Sequence, residues 1–295
     1  MVYRMSENIV EKKILESSIF SCPHCKKELF DNECKKCGSC NNYEGIPLLV
    51  KDYDLIKNQI TDAKESGRKD WYEASQDEVW KGPYRHHLLK RQKYVKSILT
   101  KYAPEKLLDL GCGDGANLSW LKSYAQKLYG SDYNILRLQR AKKRQVASEV
   151  VLADVTDYPA KENTFDTIFF NHVLEHISND MGALKEVHRI LKKGGICILG
   201  VPNEGALWWQ LAYKFQPNTR ETTDHVHFYT VSSLSKKLKD CGFTIKEVKR
   251  LGWGLPHWDY DARIRGYKIM DDLLSFFGRI FIPNQASSLY FIIEK

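Results

Sequence analysis

Two short cysteine pairs are the first residues in this chain whose spacing could do chemistry. Cys22-Pro-His-Cys25 and Cys34-Lys-Lys-Cys37 are C-x2-C knuckles eight residues apart, with Cys40 three positions further on. Each knuckle lets two thiolates converge on one ion, and four thiolates close a tetrahedral structural site that leaves no position open for catalysis. The expectation is one structural zinc held by Cys22, Cys25, Cys34 and Cys37, although soft thiolates also suit an iron-sulfur cluster. Cys40 is expected beside the site as a free thiol, with His24 as the other spare ligand. The remaining cysteines, Cys112, Cys197 and Cys241, are scattered. Close pairs in a long chain point to metal rather than to a disulfide framework.

The second cluster is a glycine loop. Lys106-Leu-Leu-Asp-Leu110 reads as a buried strand, and Gly111-Cys-Gly-Asp-Gly115 turns from it into a helix expected over Ala116 to Tyr124. Glycine suits this turn because a side chain would block a ligand from the backbone and would resist positive φ. Asp132 ends a second strand, Lys127 to Ser131, twenty-one residues after Gly111. An acid there can accept hydrogen bonds from both hydroxyls of a ribose, in a nicotinamide or an adenosyl ligand. Asp114 stands at the would-be phosphate position, where a carboxylate repels phosphate and suits a cationic ligand.

These residues must be held by larger elements. The chain has 295 residues, 43% of them hydrophobic and 12% aromatic, enough for about two domains with a real core. From Lys106 onward strand and helix signals alternate, as a parallel α/β sheet requires. Arg85 to Tyr102 reads as an amphipathic helix leading into that sheet. We expect a cysteine module over residues 1–50, a linker or lid over 51–83 carrying Trp71, Tyr72, Trp80 and Tyr84, and one α/β domain over 84–295. No stretch reaches the roughly 18 apolar residues of a spanning helix. The N-terminus is charged where a signal peptide is apolar, so a soluble cytoplasmic protein is expected. Forty-five basic against 37 acidic residues give +8, which permits an anionic partner without requiring one.

In order, Leu107-Leu-Asp-Leu-Gly-Cys-Gly-Asp-Gly115, Asp132, Val150-Val-Leu-Ala-Asp-Val155, Phe165-Asp-Thr-Ile-Phe-Phe-Asn-His-Val-Leu-Glu-His-Ile177 and Lys192-Lys-Gly-Gly195 resemble the motifs of the class I S-adenosylmethionine-dependent methyltransferases. The resemblance implies a Rossmann-like, seven-stranded sheet flanked by helices, closed by Leu289 to Ile293 as an antiparallel seventh strand. It implies S-adenosylmethionine held by Asp109, Leu110, Gly111, Cys112, Gly113, Asn117, Asp132, Tyr133, Asp154, Val155, Asn171 and His172. Asp224-His-Val-His-Phe-Tyr-Thr230 and the helix after it, Val231 to Cys241, resemble the branch that includes the ubiquinone-pathway O-methyltransferases. The cysteine head, with Tyr43-Glu-Gly-Ile-Pro-Leu-Leu-Val50, resembles the zinc ribbon of methyltransferase activator subunits.

Methyl transfer from a sulfonium needs alignment of donor and nucleophile and, for a hydroxyl acceptor, a base. Histidine suits that role near neutral pH. His225 or His227 is the preferred base, His172 is expected at the donor pocket, and His176 is expected to be structural. Two apolar insertions, near 204–222 and 252–286, are expected to build the acceptor site, with Arg263, Arg265 and Lys268 flanking the aromatics. The expected acceptor is an oxygen or nitrogen of a small molecule, glycan or lipid-linked compound, with peripheral membrane contact through the aromatics. RNA is the alternative acceptor, disfavoured because Asn171 is followed by His172 and not by an N-P-P-Y-like motif. A donor-binding scaffold without catalysis is the third reading.

Overall fold

The computed structural model describes residues 19–30, 32–52, 77, 80–221 and 223–295. Trp71, Tyr72 and most of the expected connector lie outside the described residues. In chain order the strands are β1 (Glu33–Cys34), β2 (Gly38–Ser39), β3 (Asn42–Tyr43), β4 (Ile46–Leu49), β5 (Lys106–Leu110), β6 (Lys127–Asp132), β7 (Glu149–Ala153), β8 (Phe165–Asn171), β9 (Leu191–Pro202), β10 (Thr244–Leu251) and β11 (Ser288–Glu294). The helices are α1 (Arg85–Tyr102), α2 (Leu118–Leu121), α3 (Ile135–Lys143), α4 (Asp180–Ile190), α5 (Leu207–Phe215), α6 (Asn218–Glu221), α7 (Val231–Asp240), α8 (Trp258–Arg265) and α9 (Lys268–Phe281).

One sheet in the order β10-β11-β9-β8-β5-β6-β7-β4-β3 organises the molecule. Its centre is parallel, and β11 runs antiparallel between β9 and β10 as the closing strand. The central strands are buried on both faces, which is why Leu107, Leu108 and Leu110 form a near-continuous apolar run and do not alternate with polar residues. The order reverses at β5, with β6 on one side and β8 on the other. In an open α/β sheet that reversal leaves a crevice beyond the carboxyl ends of the strands, and ligands bind there.

The sheet differs from the expected seven strands at one edge. The head supplies β3 and β4, and β4 runs parallel to β7 with Leu48 opposite Leu152 and Leu49 opposite Ala153. Ile46, Leu48 and Leu49 are buried there, each worth about 1.5–3 kcal/mol of apolar transfer. They cover an edge that would otherwise expose unpaired backbone groups. Phe20 packs edge-on against Tyr129 at 6.0 Å, so the head shares the core of the main sheet.

Local chemistry sets the helix boundaries. Asn134 and Asn179 cap α3 and α4 by accepting from the amides of Arg137 and Gly182. Thr230 and Ser233 form a reciprocal capping box at the start of α7. The helix expected over Ala116–Tyr124 is shorter: α2 covers one turn and tightens into a 3-10 turn at Lys122–Tyr124. The expected turn at Lys192–Gly195 is instead the irregular start of β9, where the register shifts and Gly194 adopts φ +73°.

Candidate functional site

The glycine loop takes the shape its sequence demands. Gly111 has φ +79°, and a Cβ there would lie 2.3 Å from Val173, so a larger residue would have to displace the wall of the crevice. Both oxygens of Asp132 are positioned by backbone amides: Oδ2 accepts from Gly113 N at 2.8 Å and Oδ1 from Asn134 N at 2.9 Å. At the end of β7, Asp154 Oδ1 accepts from both the amide and the hydroxyl of Thr156 at 2.7 Å.

These groups open onto a cavity of about 1280 Å³. Leu110, Gly111, Asn117, Asp132, Tyr133, Asp154, Val155, Asn171 and His172, all named from sequence as donor contacts, line it together. Asp109, Cys112 and Gly113, expected beside them, do not. Asp109 lies beneath the loop, where burial and the charge of Asp132 push its carboxyl well above the usual range. Cys112 is buried with its Sγ 3.8 Å from Gly113 O, and Gly113 acts through the amide it gives Asp132. Asp114 also faces inward, 3.7 Å from Arg144, so its charge does not confront a ligand as the sequence reading has it. An adenosyl ligand fits this cavity, with the uncluttered Gly111 after β5 and the acids Asp132 and Asp154 at the ends of the neighbouring β6 and β7.

A second cavity of about 290 Å³ adjoins the first and shares Leu88, Arg91, His172 and His225 with it. Its other walls come from the two insertions, chiefly Trp208, Trp209 and Trp258, with Trp209 and Trp258 packed edge-to-face at 4.7 Å. Four buried nitrogens of residues that line it have no hydrogen-bond partner: His87 Nδ1, His172 Nε2, Trp258 Nε1 and Arg265 Nη2. The cavity is therefore apolar in body and polar at a few fixed points, as small-molecule sites are.

The histidines divide clearly at the junction. Tyr213 Oη and His225 Nδ1 both donate to Oε1 of the fully buried Glu204, each at 2.7 Å. Burial alone would lower His225, but the hydrogen bond and charge of Glu204 outweigh it and raise the imidazole above its ordinary value. His172 goes the other way, held well below the usual range by burial and by Arg91. Its backbone has φ +54°, and its Nδ1 lies 3.3 Å from Glu175 Oε1. Burial raises the Glu175 carboxyl to about 8, which favours its neutral form. His176 packs edge-on against His225 at 4.6 Å, and burial lowers it.

His227, named with His225 as a base, lines neither cavity. Its Nε2 donates to the carbonyls of Ile177 and Ser178, and its ring stacks on Tyr229. Two groups escape sequence reasoning. Glu204 sits just past β9 in a stretch that reads mainly as apolar. Arg91 hydrogen-bonds Tyr290 Oη at 2.8 Å and Asn171 Oδ1 at 3.3 Å. Its signal is a cation at the i+3 position from Leu88 on the apolar side of α1.

In the head, the sulfurs of Cys22, Cys25, Cys34 and Cys37 all lie within 4.8 Å of one another. Tetrahedral Zn–S bonds of about 2.3 Å place sulfurs roughly 3.8 Å apart, so the four residues fit zinc. Amides of Lys36 and Cys37 hydrogen-bond the Cys34 sulfur and favour its thiolate, whereas the hydrogen bond with Cys25 and burial push the Cys37 thiol up, so without an ion the four sulfurs do not ionise together. Cys40 stands outside the foursome, and burial pushes its thiol up to about 11.

Comparison with known proteins agrees with this geometry. Residues 108–199 match the family model described as a methyltransferase domain. An uncharacterised protein of Methanocaldococcus jannaschii is 34% identical over 38% of this chain and 49% of its own length. The mitochondrial arginine-hydroxylase NDUFAF5 of Danio rerio is 30% identical over 48% and 46%. The malonyl-[acyl-carrier protein] O-methyltransferase of Salmonella typhimurium is 26% identical over 42% and 51%. The chain thus spans about half the length of the curated relatives it matches. Among solved structures, a chain of the complex between the Haloferax volcanii Trm112 methyltransferase activator and a methyltransferase superposes with a TM-score of 0.54 at 16% identity. That superposition covers 76% of this chain and 95% of the other, and it speaks for the fold alone. The glycine loop, the paired strand-end acids, the reversed strand order and the family match converge: the chain carries a methyltransferase domain of the S-adenosylmethionine-dependent, Rossmann-like class.

Proposed function

We propose that this protein methylates an oxygen or nitrogen of an apolar small-molecule, glycan or lipid-linked acceptor held in the indole-walled cavity, with His225 as the general base. The observation that carries this reading is the shared wall: His225 borders both cavities and is oriented from behind by Glu204.

When bound, S-adenosylmethionine supplies an electrophilic methyl group on a sulfonium. Asp132 would receive its ribose hydroxyls, Asp154 and Val155 would hold its adenine, and Asn171 and His172 would border its reacting end. With Nδ1–H committed to Glu204, the lone pair of His225 resides on Nε2, where it accepts the acceptor's proton. The positive charge that His225 gains is stabilised by Glu204. Leu88 and the tryptophans exclude water from the junction and orient the acceptor. Cys22, Cys25, Cys34 and Cys37 would hold a structural zinc.

The test is transfer of a radiolabelled methyl group to a panel of lipids, glycans, phenols, amines and RNA, with wild type and His225→Ala. The expected result is labelling of an apolar acceptor, a fall in kcat of about 10²- to 10⁴-fold in the variant, and donor affinity within twofold of wild type. Labelling of RNA alone would replace the acceptor class. Donor binding without turnover on any acceptor would favour the scaffold reading.

A further inference from the structure

Helix α9 is built inside out. On a water-facing helix the apolar stripe turns to the core, but here Ile269, Leu273, Phe276, Phe277, Ile280 and Phe281 face solvent, with Ile269 74% and Phe281 72% exposed. The inner face is polar and fixed. Asp271, fully buried, is held by Arg265 Nε at 2.8 Å and Lys90 Nζ at 2.6 Å, and Lys90 also donates to Ser275. Gly278 lets the helix approach Trp253 so closely that a Cβ would lie 2.3 Å from the indole. The orientation is therefore locked by buried charge and by contact, and the apolar outer face is a consequence of it.

Charge is sorted across the same cap. Among the described residues of α5, α6, α8 and α9, the solvent-facing cations are Lys214, Arg220, Arg263, Lys268 and Arg279 against two solvent-facing acids, Asp259 and Asp272, the latter paired with Lys268, whereas Asp261 and Asp271 are buried. Arg265, expected at the surface with Arg263 and Lys268, is instead one of the buried partners. A second copy of this face would bring these cations against one another. An anionic bilayer would pair with them while its acyl boundary takes up the aromatics. At 14 residues the helix is roughly 21 Å long. No helix among the described residues is long and apolar enough to cross a membrane, so α9 suits the interface plane.

We propose that α9 docks this protein on an anionic lipid surface, lying flat with its phenylalanines in the acyl boundary and the cap cations among the headgroups. The surface stands independently of methyl transfer. Its use to collect an apolar acceptor for the cavity beneath rests on the reading above.

Sedimentation of the full chain with vesicles of phosphatidylcholine, with and without phosphatidylglycerol, tests this. Wild type is expected to pellet with the anionic vesicles and to bind neutral ones at least tenfold less. The double variant Phe277→Asp with Ile280→Asp, at half-exposed positions, should lose at least tenfold in binding to the anionic vesicles while its donor affinity, measured by calorimetry, stays the same. Wild type remaining in the supernatant, equal binding to both vesicle types, or unchanged binding by the variant would overturn the proposal. A wild-type dimer that the variant converts to monomer, without vesicle binding, would assign the face to a second copy instead.

Discussion

The two cavities that meet at His225 are built by opposite means. The larger takes its shape from backbone: glycines at positive φ, amides that fix Asp132, and loops at the carboxyl ends of parallel strands. The smaller takes its shape from side chains, above all the indoles of Trp208, Trp209 and Trp258, on helices inserted after the central strands. A backbone-built pocket tolerates little change and suits an invariant donor. One built from side chains can be recut residue by residue, which suits the partner that varies from enzyme to enzyme.

The comparison can be broken most forcefully at Asp132. On the proposed reading Asp132 accepts from both ribose hydroxyls, and Asp132→Ala would remove two charge-assisted hydrogen bonds worth about 1.5–3 kcal/mol each. Donor affinity should therefore fall at least a hundredfold by calorimetry. An affinity within threefold of wild type would show that the backbone-built cavity does not bind the donor through this acid.

Glu204→Gln probes the seam between the cavities. A glutamine can still accept from Nδ1, but it removes the negative charge that raises His225. The base must be neutral, so wild-type activity should decline as pH falls through a point above the ordinary histidine value of about 6.5. In the variant that acidic limb should move to lower pH, and kcat should drop roughly 10- to 100-fold. A limb that stays in place would mean that another group limits the rate.

The smallest effect, and the sharpest for the comparison, comes from Trp258→Ala. Widening the indole wall should raise acceptor KM by about tenfold while leaving donor affinity within twofold. If donor affinity fell in parallel, the two cavities would not be separable parts.

Sequence reading reaches the first cavity much better than the second, for a physical reason. Gly111, Asp132 and Asp154 act where local backbone geometry and short spacing already constrain the residue type. Glu204 and His225 are twenty-one residues apart, and their meeting depends on the amides of Val226 and His227 bonding the carbonyl of Glu175, a contact that no local pattern encodes. His225 and His227 look alike in sequence and regular extended chain would put both on one side, yet only His225 faces a cavity, because the consecutive amides of Val226 and His227 both turn to the Glu175 carbonyl and break the alternation. The cysteine knuckles are legible because four thiolates at that spacing have few other uses. The inversion of α9 is not, because its amphipathic period is the same whichever face turns inward, and Asp271 decides the matter only through Arg265 and Lys90.

The strand shared between head and sheet has a practical consequence for anyone dividing this chain. Residues 1–50 look like a detachable metal tag, but a cut after Val50 would strip β3 and β4, bare the edge of β7, and loosen the strand that sets Asp154 in the wall of the larger cavity. A cut before Asn42 spares β3 and β4 but still withdraws Phe20 from its place against Tyr129 and Ala160, so the metal head and the sheet are parts of one folding unit.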